Sequence, residues 1–351
     1  MKPLSFTSSS EAAITSSPVT DRAGYLRIAR KLAVFLIACA MLEAFSYLFV
    51  PPLHPLQEVS EKKPAMLQAA LDSDAHYDTF FVGSSLTEEG LDPNAFAQVW
   101  GGTAFNAGLA GSANVTFASQ MIQSIIEKKK PSLIVYGIEH FAFDRGVKEQ
   151  DTQMFRFLNL YRQRTQIKRW IGRIVRGRFE RPPAFWDARA HVADFDKRFS
   201  KFDSAVLHDN GWVEVHALAS MTGATEDPFP GPFRKEPVQV MAIDSIKKLS
   251  RETGVPVIFV QFPQSNTAIA ASKQRFPGFD DFMRSDVSND GFIYLNFNST
   301  LPFPRGDASL YYDGAHLNSE GAKLFAPLLA AEIAKYCHHD GARIVCDKAS
   351  N

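Results

Sequence analysis

Thr79-Phe80-Phe81-Val82-Gly83-Ser84-Ser85-Leu86 is the stretch from which the fold is read. It is an apolar strand that runs straight into a Gly-Ser-Ser turn. A serine at the end of a strand is a candidate nucleophile. Far downstream, Tyr312-Asp313-Gly314-Ala315-His316-Leu317-Asn318 places an Asp three residues before a His. Together the two stretches supply a candidate Ser-His-Asp triad: Ser85 as nucleophile, His316 as base, Asp313 to orient and charge-stabilise the imidazole.

Working outward, strands and helices alternate. Apolar strands are expected at Phe80–Gly83, Thr103–Asn106, Leu133–Ile138, Val255–Phe262 and Phe292–Phe297. Helices are expected through Ile125, over Ile243–Glu252 and over Ser319–Tyr336. The last has apolar spacing at Ala322, Leu324, Phe325, Leu328, Leu329 and Ile333. This rhythm predicts an α/β fold, a parallel sheet sandwiched by helices. Ser85 and the turn Gly108–Gly111 then lie at the C-terminal ends of their strands, where open α/β sheets bind ligands. The backbone N–H groups of Ser85 and Gly111 are the expected oxyanion donors. Ser84, Asn106, Glu139 and His140 are further candidates for lining the site. Asn318 or Ser319 is expected to cap the final helix.

The chain has 351 residues, 45% apolar and 22% charged, with 38 basic and 38 acidic side chains. That balance gives no reason to expect nucleic-acid binding. Residues 1–31 read as a disordered cytoplasmic tail ending in Arg22, Arg27, Arg30 and Lys31. Residues 32–50 are apolar apart from Glu43 and would reach about 28 Å as a helix, just enough to cross a bilayer. The basic flank predicts a single-pass anchor with the N-terminus cytoplasmic and residues 51–351 outside; a bacterial inner membrane, with the domain periplasmic or extracellular, is the expected setting. Three alternatives stay open: a signal peptide cut near Ala38-Cys39-Ala40, a lipoprotein box at Leu36–Cys39, and a buried helix of a soluble protein. Residues 51–76 read as a linker with a short helix, and 77–351 as the α/β domain.

Residues 142–236 break the rhythm and read as a helical insertion with a Pro/Gly-rich loop around Pro228–Pro232. Its first part is basic, from Arg156 to Arg181, with Ile167, Trp170, Ile171 and Ile174 at helical spacing. The basic face can meet anionic lipid heads or an anionic glycan, or it can be simply solvated. Outside the cytoplasm Cys337 and Cys346 can close a disulfide loop; free thiols, or a metal site with His338 and His339, are the alternatives. Their spacing matches no established zinc pattern, and no cofactor is expected.

Gly83-Ser84-Ser85-Leu86, the Asn106–Gly111 turn and Asp313-Gly-Ala-His316 resemble blocks I, II and V of the SGNH/GDSL hydrolase superfamily, over roughly residues 76–140 and 237–336. The resemblance implies a flavodoxin-like fold with Ser85 as nucleophile, Gly111 as block II glycine, and Asp313 and His316 as acid and base. Block I reads Gly-Ser-Ser where the family has Gly-Asp-Ser. The strand matching block III ends Val135-Tyr136-Gly137-Ile138-Glu139-His140 and has no Asn for a third oxyanion donor. The anchor, the Gly-Ser-Ser block and the insertion are similar to the membrane-anchored branch, which includes the teichoic-acid D-alanylation protein and alginate O-acetyltransferase accessory proteins. That likeness implies acyl transfer to a cell-surface polysaccharide or glycan beside a multi-span membrane acyltransferase. A simple carbohydrate esterase and a non-catalytic scaffold remain as alternatives.

Overall fold

The computed structural model describes residues 22–49, 55–111, 114–143, 202–217, 232–273, 275–341 and 343–347. The chain divides into two compact units, Met1–Pro52 and Leu53–Asn351.

The first unit contributes one helix, α1 (Arg22–Phe49). Tyr25, Leu26, Ile28, Leu32, Val34, Phe35, Leu36, Ile37 and Met41 are all exposed on it. Among the described residues no helix is long and apolar enough to cross a membrane. The side chains of Cys39 and Glu43 lie outside the described residues.

The second unit begins with α2 (Pro55–Asp72), followed by β1 (Thr79–Val82), α3 (Ser85–Gly90), α4 (Pro93–Trp100) and β2 (Ala104–Asn106). Then come α5 (Val115–Lys129), β3 (Leu133–Gly137), β4 (Phe202–Leu207), β5 (Val213–Ala217), α6 (Pro237–Thr253) and β6 (Val257–Gln261). The chain continues with α7 (Asn266–Ala271), α8 (Phe276–Met283), β7 (Tyr294–Asn296), α9 (Ser319–Ile333), β8 (Cys337–Asp340) and β9 (Arg343–Cys346).

Five parallel strands form the central sheet in the order β2-β1-β3-β6-β7. Successive strand residues point to opposite faces, and both faces are covered. Phe80, Val82, Ile134, Tyr136 and Phe259 pack with α2, α5, α6 and α8 through Leu67, Ile122, Ile246 and Phe279. Phe81, Leu133, Val135, Ile258 and Val260 pack with α4 and α9 through Phe96, Phe325 and Leu329. The expected α/β sandwich is therefore present. The strand order reverses between β1 and β3, since the chain leaves β1 for β2 on one side and returns to β3 on the other. Open α/β sheets bind ligands at the C-terminal ends of the strands that flank such a switch point, and Ser85 follows β1 there.

Helix starts follow local capping chemistry. Asp92 Oδ1 accepts the Asn94 N–H at 2.8 Å ahead of α4, and Asn114 accepts from Phe117 at 2.8 Å ahead of α5. Asn318, not Ser319, caps α9 by accepting from Gly321 at 3.0 Å.

Two expectations are corrected. Within the insertion, residues 202–217 form an antiparallel hairpin, β4 with β5, where helix was expected. A turn over His208–Gly211 joins the strands, the Gly211 N–H donating to the His208 carbonyl at 2.8 Å, and Val213 and Val215 alternate inward to meet Val59 and Tyr312. The basic run Arg156–Arg181 and the Pro/Gly-rich loop up to residue 231 lie outside the described residues. The helix within 51–76 is part of the domain and not a tether, because Leu67 and Leu71 are buried in the sheet's core.

At the C-terminus β8 and β9 form a second hairpin, closed by a disulfide between Cys337 and Cys346. His339 Nε2 lies 3.0 Å from the Trp100 carbonyl oxygen, and its ring packs on the indole. Replacing both cysteines with serine is expected to lower stability by about 2–3 kcal/mol through freed chain entropy. The midpoint of urea unfolding measures it, and an unchanged midpoint would contradict it.

Candidate active site

Gly83 ends β1 and lets α3 start immediately. A Cβ there would stand 2.1 Å from Thr87 Oγ1 and 2.9 Å from the Gly137 carbonyl oxygen, so only glycine allows the helix to fold back this tightly. Ser84 is the N-cap of α3. Its Oγ accepts the Leu86 N–H at 3.3 Å and donates to Glu139 Oε1 at 3.0 Å, fully inside the protein. Ser85 is the next residue, half-buried, and its Oγ lies 2.8 Å from His316 Nε2.

His316 sits on a short loop between Tyr311 and α9. Asp313 Oδ1 accepts the N–H groups of Ala315 and His316, each at 2.7 Å, so the carboxylate shapes its own loop. The same carboxylate meets His316 Nδ1 at 2.9 Å through Oδ2 and 3.1 Å through Oδ1. Ser265 holds the loop from outside by donating to the Gly314 carbonyl at 2.7 Å. Ser85, His316 and Asp313 thus form one continuous hydrogen-bonded chain.

The block II turn is pinned against α3. Asn106 Nδ2 donates to the carbonyls of Thr87 at 2.7 Å and Leu91 at 2.9 Å, while its Oδ1 accepts the Gly108 N–H at 2.9 Å. Asn106 is buried, and its role is to close the C-terminal end of the nucleophile's helix. A Cβ on Gly108 would lie 2.5 Å from the Glu88 nitrogen, so glycine is needed for this approach. The N–H groups of Leu109 and Ala110 are also engaged, with the Gly83 carbonyl at 3.0 Å and Glu88 Oε2 at 2.8 Å. Gly111 follows, exposed and in the left-handed region at φ 79°. Ser85 lies in the first turn of α3, where N–H groups have no acceptor within the helix. Glu139 is buried beneath Ser84. His140 is buried too, its ring 4.9 Å from that of Phe276.

Four residues beside the triad escaped the sequence reading. Glu88 and Glu89 on α3 are buried, as are Lys63 on α2 and Tyr312 on the triad loop. Lys63 donates to the Gly211 carbonyl and lies 3.9 Å from Glu88 Oε1. Tyr312 donates to Glu89 Oε2. The available signal was spacing: acids three and four residues after Ser85 return to the serine's side of a helix.

These groups set the charge of the site. Burial pushes Glu89 and Glu139 up to about 8 and Glu88 up to about 7, the last against the pull of Lys63. Burial also brings Lys63 down to about 8 against the pull of Glu88 and Glu89. Burial alone would lower His316, but Asp313, Glu89 and Glu139 outweigh it and raise it to about 9. Burial opposes ionisation of Asp313 as well, yet His316 and the loop N–H groups hold it below the ordinary carboxylate value.

No family profile matches the chain, and no curated protein sequence does. Among solved structures it is similar to a protein provisionally described as an acylhydrolase from Bacteroides fragilis, at 13% identity and TM-score 0.39, covering 81% of this chain and 98% of that one. A protein provisionally described as a platelet activating factor from Streptococcus pneumonia gives 12% and 0.39, covering 86% and 99%. A GDSL-like lipase from Bacteroides thetaiotaomicron gives 12% and 0.38, covering 79% and 98%. These low scores leave the reading of the site to its own geometry.

The buried acids fix the sign of the pH response. A carboxyl whose folded value is raised keeps its proton in the fold after the unfolded chain has lost it. Its stabilising effect is complete below about 4.5 and fades up to about 8. His316, raised to about 9, acts in the same direction above its unfolded value. Stability is therefore expected to fall between pH 5 and 8 by about 1 kcal/mol or more per unit. Glu139→Gln should flatten that slope, as read by urea unfolding at several pH values. A slope that rises with pH, or one unchanged in the variant, would contradict this.

Proposed function

We propose that this chain is a serine acyl-transfer enzyme of the SGNH/GDSL type, an O-acyltransferase or acylesterase acting on a cell-surface polysaccharide or glycan. The observation that carries the reading is the hydrogen-bonded chain Ser85–His316–Asp313 at the end of β1, at the switch point of a parallel sheet. Ser85 Oγ attacks the acyl carbonyl while His316 Nε2 takes its proton. Collapse expels the donor's alcohol, which carries that proton away, and leaves an acyl group on Ser85. A sugar hydroxyl or water then attacks, His316 takes its proton, and the acyl–oxygen bond to Ser85 breaks as the proton returns to the serine. The N–H groups of Ser85 and Gly111 are the proposed oxyanion donors.

The same reading places the domain outside a bacterial inner membrane, on the anchor at residues 32–50. Its support is the basic first part of α1, Arg22 to Lys31, and the apolar side chains exposed along its described length. Single-pass anchoring would set the site beside a multi-span membrane acyltransferase as donor or acceptor partner.

The test is labelling of the detergent-purified full chain with a fluorophosphonate, alongside hydrolysis of a small acetyl ester. Ser85→Ala is expected to abolish labelling, and His316→Ala and Asp313→Ala to slow it by about 10³-fold or more. Labelling should rise with pH as His316, held up to about 9, loses its proton. A folded wild-type chain that neither labels nor hydrolyses would sink the enzymatic reading and favour a scaffold role.

A further inference from the structure

Tyr312 and Glu89 stand beside the triad without belonging to it. The Tyr312 ring stacks on the His316 imidazole, centroids 5.3 Å apart and planes within 10°. Its hydroxyl donates to Glu89 Oε2, and both side chains are buried. Glu89 lies four residues after Ser85 on α3, one turn along the same side. Trp212 Nε1 fixes this turn from the hairpin by donating to the Glu89 carbonyl at 2.9 Å.

Asp313 grips the imidazole only by its Nδ1 edge. An edge contact sets the tautomer but leaves the ring able to tip about the Asp–His line. A stacked face removes that freedom. A tyrosine would supply the face by packing alone, and a buried glutamate adds an unfavourable desolvation cost. Its return is a fixed span between the helix that carries the nucleophile and the loop that carries the base.

We propose that Tyr312 and Glu89 are positioning residues, a second arm that holds the His316 imidazole in line with Ser85 from the nucleophile's own helix. The inference rests on the serine acyl-transfer reading and deepens it. The charged groups facing His316 are Asp313 on its own loop, Glu88 and Glu89 on α3, and Glu139 after β3; Lys63 on α2 faces Glu88. Ionised Glu89 favours the imidazolium, so removing that charge favours the neutral base.

Three variants of the full chain separate the parts. Tyr312→Phe keeps the stack and loses the anchor. Glu89→Gln keeps an acceptor for the tyrosine and loses the charge. Tyr312→Leu loses both. Two readouts are taken: fluorophosphonate labelling rate against pH, and NMR titration of the His316 ring. Tyr312→Phe is expected to label about 10-fold slower and Tyr312→Leu about 100-fold slower, as misaligned catalytic groups do. Glu89→Gln should show the acid limb of its labelling profile and the His316 titration both displaced to lower pH.

Wild-type rates in folded Tyr312→Phe and Tyr312→Leu, with an unmoved His316 titration in Glu89→Gln, would overturn the proposal. If Tyr312→Leu fails to fold, the other two variants decide it. If the wild type does not label, the acyl-transfer reading fails by itself. The His316 titration then decides the positioning arm: displacement in Glu89→Gln and in Tyr312→Phe supports it, and no displacement in either overturns it.

Discussion

The site depends on how one buried turn of helix is finished. α3 has six residues, and all but Ser85 are buried. A helix this short cannot satisfy its own ends, and water cannot reach them. Asn106 supplies what is missing at the C-terminal end, reaching the carbonyls of Thr87, Glu88 and Leu91 with one amide group. Ser84 does the same for an N–H at the other end. With both ends closed, the first residue of α3 has one place to be, and that residue is Ser85. The same Asn106 takes the Gly108 N–H, so the β2 turn and the nucleophile's helix are fixed as one body.

The second constraint is electrostatic. Glu88, Glu89 and Glu139 are all withdrawn from water beside a single imidazole, and Lys63 is buried against Glu88. Such burial weakens the fold at neutral pH, where carboxyls prefer to be solvated and ionised. Partial compensation comes from specific partners: Ala110 N–H and Lys63 for Glu88, Tyr312 for Glu89, Ser84 for Glu139. Each of these bonds also ties down a segment of the site. Stability given up to burial therefore reappears as order in α3, the β2 turn and the triad loop.

How much of this was legible in the sequence follows from the range of each interaction. The strands were readable because runs such as Phe80-Phe81-Val82 and Val257-Ile258-Phe259-Val260 are buried on both sides and lack polar interruption. The loop at Asp313 was readable because its bonds span only two or three residues. The start of α9 was readable for the same reason, to within the pair Asn318-Ser319. The hairpin at 202–217 was missed because its alternation is short and its outward position Glu214 is not solvated but held at 2.6 Å by Ser319 and 2.7 Å by Lys323 from α9. The buried acids were missed because nothing local marks Glu88 or Glu89 as enclosed. Their partners Lys63 and Tyr312 come from opposite ends of the domain. Asn106 looked like a lining residue because its sequence position is right; its side chain points into α3 through partners the sequence does not place.

The pair Ser84-Ser85 shows how little separates a structural hydroxyl from a reactive one. The two are adjacent and chemically identical, and the sequence alone ranks them only by resemblance. The helix start sorts them. At the N-cap, Ser84 has extended backbone and turns its oxygen back onto Leu86 N–H. That oxygen is then enclosed and gives its proton to Glu139, an acceptor whose own burial keeps the bond out of water. One residue further the backbone has become helical, and the half-buried side chain of Ser85 reaches His316 instead. Shifting the cap by one position would exchange the two roles. Asn106 and Gly83, by fixing where α3 begins and ends, are what make Ser85 the serine that faces the base.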